Sequence, residues 1–119
     1  MIEPKSLMLG NIITHSTNDM EGGIKDVIII VNGNLIKELE LHPYLGYNPI
    51  SISSVWFIKF GFAYSNGNVL FKELFEVAIT KAGKFYLKGI NFGVVEIKYV
   101  HQLQNLHYYL TNEHLECSI

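Results

Sequence analysis

Between Phe62 and Lys98 apolar and polar residues alternate in short runs, and past Lys98 the apolar spacing changes to about 3.6. That switch constrains the fold most, because a period of two suits a strand with one buried face and 3.6 suits a helix. The runs "GFAY", "NVLFKE", "LFEVAITK" and "KFYLKG" are set apart by the turn-like "SNGN" and "KAGK", and "GVVEIKY" adds a last strand. In "FEVAIT", Phe75, Val77 and Ile79 alternate with Glu76, Ala78 and Thr80. The pattern predicts an antiparallel meander closed by a helix near 99–111.

Upstream, "LMLGNIITH" predicts an extended segment interrupted at Gly10-Asn11, and "STNDMEGG" a loop. In "IKDVIIIVNGNLIKELEL" two β-rich runs flank Asn32-Gly33, a pair favoured in type I′ turns, so a hairpin with strands at about 24–31 and 34–41 is expected. Glu38 and Glu40 would then share a solvated face. "HPYLGYNP" breaks regular structure. "SISSVWFIKFGF" predicts a helix near 54–60, capped by Ser53, with Trp56 and Phe60 one turn apart and Gly61 as a left-handed exit. The fold class is α+β in one domain, 1–119: an N-terminal hairpin plus meander, a short central helix and a C-terminal helix. Its expected core includes Trp56, Phe60, Phe75, Val77, Leu103, Leu106 and Leu110.

Composition narrows the activities. All nine basic residues are lysine, and net charge is −2. Without arginine the chain lacks the bidentate fork suited to guanine edges and phosphates. Lysines with Tyr44, Tyr47, Lys25 and Lys37 on a barrel-like N-terminal portion could still hold single-stranded nucleic acid. Cys117, the sole cysteine, cannot form an internal disulfide and is expected as a bystander thiol in a frayed terminus. No signal peptide is evident at the start, and the aliphatic run Val27–Val31 is too short for a bilayer, so a cytoplasmic protein without membrane contact is expected.

The histidines of "VHQLQNLHYYLTNEH" pose the main chemical question. On a helix, Tyr99, Leu103, Leu106 and Leu110 form an apolar stripe, while His101, Gln104, Asn105 and Tyr108 take the far side and His107 the stripe's edge. His114 follows the terminator Asn112. No i, i+3 or i, i+4 histidine pair occurs, so no metal site is expected unless His15 or His42 converges from afar. Nucleotide-binding, nucleophile-elbow and paired-cysteine motifs are absent, so neither catalytic residues nor a cofactor are expected. The far face, with His101, Gln104, Tyr108 and neighbouring Tyr109, is the candidate contact surface for a partner; an ordinary solvated face is the alternative, and a tyrosine buried beneath the N-terminal strands another.

Two stretches, "ISISSVWFIKFGF" and "EIKYVHQLQNLHYYLTNEHL", resemble a loose family of small proteins encoded by phages, prophages and mobile elements. Its members carry "PIPLTEEWLLKFGF"-like and "IKYVHQLQNLYFALTGEEL"-like segments, and "LMLGNII" is similar to their opening "LRIGNYV". Ser54-Val55 replaces the acidic first turn, and Thr111-Asn112 replaces Thr-Gly, which still permits a left-handed cap. The resemblance implies an accessory protein acting by binding a host or phage protein or ribonucleoprotein complex. An inhibitor of a host CRISPR-type nuclease is the leading expectation, a small nucleic-acid-binding module the alternative, and a small enzyme a third. No oligomeric state follows.

Overall fold

The alternation after Phe62 becomes a five-stranded antiparallel meander: β4 (Ala63–Asn66), β5 (Val69–Lys72), β6 (Phe75–Ile79), β7 (Phe85–Gly89) and β8 (Phe92–Ile97), paired in chain order. The computed structural model describes residues 7–18, 24–41, 46–72, 75–89, 92–115 and 117. Cross-strand register stacks the apolar positions: Leu70 lies opposite Val77, Val77 opposite Leu87, and Phe85 opposite both Ile79 and Ile97. Leu70, Val77, Leu87 and Ile97 are buried on that face, whereas Glu76 and Lys88 oppose each other on the solvated one.

Two helices cover the buried face. The first, Ser54–Lys59, is labelled α2, and the last, Val100–Thr111, α3. Phe57, Phe60, Val100 and Leu103 join the strand residues in one core cluster. Ser53 occupies the N-cap of α2 but makes no side-chain cap hydrogen bond. Gly61 does provide the left-handed exit, at φ +94°. Lys72 Nζ donates to the Phe60 carbonyl at 2.8 Å, and a Cβ on Gly61 would sit 3.1 Å from that nitrogen. The lysine thus takes up a C-terminal carbonyl of α2.

The amino-terminal third departs from the expected hairpin. Strand β1 (Ile12–Asn18) pairs with β2 (Ile24–Ile30), but the chain then enters helix α1 (Gly33–Leu41) instead of a second strand. Neither Asn32 nor Gly33 has the positive φ that a type I′ turn requires. Asn32 caps the helix, its Oδ1 accepting the Leu35 amide at 2.9 Å. Leu35 and Leu39, one turn apart, bury against Ile13 and Val31 in a second cluster. Glu38 and Glu40 are exposed on this helix and share no strand face.

Strand β3 (Tyr47–Pro49) forms within the segment expected to be irregular, giving a sheet ordered β2-β1-β3 in place of a barrel-like portion. Pro49 fits because it stands opposite Ile13, whose neighbour Thr14 pairs with Asn48, so the missing amide lies on the outer edge. Beyond β3 the chain joins the two sheets: Ile52 donates to the Lys98 carbonyl and Val100 to that of Ile50, both at 2.9 Å.

Trp56 and Leu106 are partly buried against the core, and Leu110, expected inside, is 36% exposed. Cys117 is also partly buried against it, and burial pushes its thiol up, with Lys59 acting in the opposite direction. Its side chain is therefore packed on the core, where a frayed terminus was expected. Among the described residues no helix is long and apolar enough to cross a membrane.

Candidate functional site

Helix α3 faces the core about a quarter turn away from its leucine stripe. Val100, Leu103, Gln104 and His107 recur at i, i+3, i+4 and i+7 and are buried, with His101 beside them. The helical projection puts His101 and Gln104 on the solvated far side. They are instead covered by other parts of the fold, and for Gln104 the cover is the amino-terminal segment. Gln104 belongs there because both its polar atoms are used.

Gln104 makes the clearest case. Its Oε1 accepts the Ile12 amide at 2.8 Å, and its Nε2 donates to the Gly10 carbonyl at 3.1 Å. Next to it, Asn11 Nδ2 donates to Asn105 Oδ1 at 2.7 Å, while Asn11 Oδ1 accepts the Met8 amide. Gly10-Asn11 and Gln104-Asn105 therefore form a clasp between the two ends of the described chain. Gln102 serves the helix start: its Oε1 accepts the Lys98 amide at 2.8 Å and its Nε2 donates to the Glu96 carbonyl at 3.0 Å.

The histidines separate into different tasks. His107 Nδ1 donates to the Glu113 carbonyl at 2.9 Å, which fixes a proton on that nitrogen, and its ring lies 5.4 Å from Phe75. Asn112, left-handed at φ 59°, closes α3 by donating its amide to the Tyr108 carbonyl at 2.7 Å. His114 stacks on Tyr108 with ring centroids 4.4 Å apart, and His15 stacks on Tyr47 at 4.2 Å. His42 and Tyr44 lie outside the described residues. Among those described, no group of three or more metal-ligating side chains comes together.

His101 is 5% exposed with its ring parallel to Tyr99, and burial lowers its pKa from the ordinary 6.5. The unfolded chain therefore takes up this proton at a higher pH than the folded one. The stabilising contribution is complete above about pH 6.5 and is lost as pH falls from there towards the depressed folded value. Urea unfolding at a series of pH values should show stability declining over that acid range. In His101→Asn the slope should shrink, by at most about 1.4 kcal/mol per pH unit, the value for one proton.

Outside the clasp lies a pocket of about 400 Å³ lined by Met8, Leu9, Asn11, Asn105, Tyr108 and His114 among others. This volume falls in the range of small-ligand and side-chain pockets. Among the described residues no lysine, aspartate or glutamate lines it. Leu9 in its lining is 60% exposed, and Tyr109, the chain neighbour of the lining residue Tyr108, is 85% exposed on the surface. Of the four expected contact residues, the structure leaves Tyr108 at the pocket and Tyr109 on the surface, and takes His101 and Gln104 inside. The pocket itself was missed; the signal for it was the repeated carboxamide in "GN" and "QN", whose partners sequence spacing could not reveal.

Neither protein-family models, nor curated proteins, nor solved structures match this chain.

Proposed function

We propose that this chain is a binding protein without catalytic chemistry of its own, an accessory factor of a phage or mobile element. Its target in this reading is a host protein or ribonucleoprotein complex, with a CRISPR-type nuclease as the leading candidate. The observation that carries the binding reading is the pocket beside α3, whose described lining holds no lysine, aspartate or glutamate, with Leu9 exposed on it and Tyr109, the neighbour of its lining residue Tyr108, exposed on the surface. Tyrosine combines wide apolar area with a hydroxyl at small entropic cost, which suits the centre of a protein contact. The genetic setting and the nuclease target rest on the sequence resemblance alone.

The nucleic-acid alternative draws less support. Counterion release needs lysines near the binding surface, and among the described residues none lines the pocket. Lys84 and Lys98 both approach Glu96, at 3.9 and 3.8 Å. Of the expected platform's described side chains, Lys37 is exposed, while Tyr47 is half-buried and already stacked on His15.

The test adds purified protein to reconstituted CRISPR-type effectors and measures target cleavage. Inhibition at near-equimolar protein is expected, weakened at least about tenfold in a folded Tyr109→Ala variant. Undiminished cleavage by every effector class would remove the inhibitor reading. Retention of single-stranded nucleic acid that weakens steeply with salt would favour the alternative.

A further inference from the structure

Strand β2 and the residue after it carry the block Val27-Ile28-Ile29-Ile30-Val31, which reads the same in both directions. It is an edge strand: among the described residues only β1 pairs with it. The direction of its free hydrogen-bonding groups can be fixed. Val31 donates to the Asn11 carbonyl and accepts the Gly10 amide, so its main chain points towards β1. Alternation then directs Val27 and Ile29 to β1 as well, and Ile28 and Ile30 outward. Consistently, Ser16 of β1 donates to Gly46 on the opposite side, which leaves Ile13 and His15 to face Ile29 and Val27. Ile28 is 44% and Ile30 62% exposed, on the sheet face away from α1.

We infer that β2 is the interface for a second copy of this chain, paired antiparallel about a twofold axis at Ile29. A twofold contact must be self-complementary. The palindrome meets that requirement: Ile28 faces the partner subunit's Ile30, Ile30 faces the partner's Ile28, and Val27 and Val31 face each other. The same register makes both Ile28–Ile30 pairs hydrogen-bonded ones, because their amides and carbonyls point outward. Charge selects the register too. A twofold axis at Asp26 would oppose like charges, whereas an axis at Ile29 places Lys25 and Asp26 beyond the paired block, where the partner chain has turned into α1. Two three-stranded sheets become one of six strands.

The strand contact covers far less than the roughly 800 Å² per partner of a standard stable interface. Dimerisation should therefore be weak, centred in the micromolar range, and visible only in a concentration series. Sedimentation velocity from about 1 μM to about 1 mM is expected to show conversion from monomer to dimer. Ile28→Pro removes one outward amide, tolerable on an edge, and should raise the dissociation constant at least about tenfold while circular dichroism stays native. A second measurement does not depend on that variant folding. In a Cys117→Ser background, Ile29→Cys places two thiols across a non-hydrogen-bonded pair with Cα atoms about 4.5 Å apart, within disulfide range. Val27→Cys places them about 13 Å apart, out of reach. Crosslinking at 29 and not at 27 is expected. A monomer at every concentration, or a dimer that keeps its affinity in folded Ile28→Pro, would overturn the proposal. So would crosslinking at 27 and not at 29.

Discussion

Phe57→Ala is expected to lose about 3–5 kcal/mol of folding free energy, the range for a large aromatic truncated in a packed core. Phe57 is completely buried, edge-on to Phe62 with centroids at 5.2 Å and tilted against Phe85 at 5.3 Å. Both contacts end together on truncation, and α2 loses its anchor on the meander. Since small domains have about 5–15 kcal/mol in total, the variant should be strongly destabilised and partly unfolded on modest warming. Urea titration followed by tryptophan fluorescence would report it, with Trp56 on the same helix as the probe. A loss below about 0.5 kcal/mol, typical of surface changes, would place the ring outside the core.

Gln104→Leu should cost about 2–4 kcal/mol, more than Leu106→Ala, although the first adds apolar surface and the second removes it. The leucine leaves the buried Ile12 amide and the Gly10 carbonyl without their partners, each worth about 1–3 kcal/mol. Leu106 is only partly buried, so its truncation should fall below the 2–5 kcal/mol of a fully enclosed leucine. Gln104→Glu provides a graded comparison: it keeps an acceptor for Ile12 and loses the donor to Gly10. The expected order of urea midpoint loss, smallest first, is Leu106→Ala, then Gln104→Glu, then Gln104→Leu. A Leu106→Ala loss equal to or above that of Gln104→Leu would show that the clasp does not hold these segments.

These two sites show which part of the fold could be read ahead of structure. The meander and the closing helix were legible because their apolar periods are long enough to exclude the alternative. Helix α1 was not: Asn32-Gly33 satisfies a hairpin turn, yet Asn32 equally satisfies a helix cap, and Leu35 and Leu39 carried the helical spacing. Burial of those leucines on the first sheet decides between the two, and that is a tertiary fact. The orientation of α3 failed for a related reason. Hydrophobicity places leucines inward, but the inner face is chosen by hydrogen-bonding fit, and Gln104 finds its partners about ninety positions away. The same clasp accounts for much of the "GN" and "HQLQN" segments without any binding role. Only Tyr108 and Tyr109 remain from the expected contact face.

The clasp also sets an order of events during synthesis. Its contacts join residues 94 and 92 positions apart, and closing a loop of that length costs about 4 kcal/mol of chain entropy before any contact forms. The hairpins of the meander are local and can assemble early. Residues 7–18 emerge from the ribosome before α3 and wait for a helix translated about ninety residues later. Throughout that interval the Ile12 amide lacks the acceptor it will have in the finished protein. A nascent chain stalled after Lys98 should therefore exchange that amide hydrogen rapidly, and release of the full chain should slow it. Fast exchange in both would mean that the ends never close.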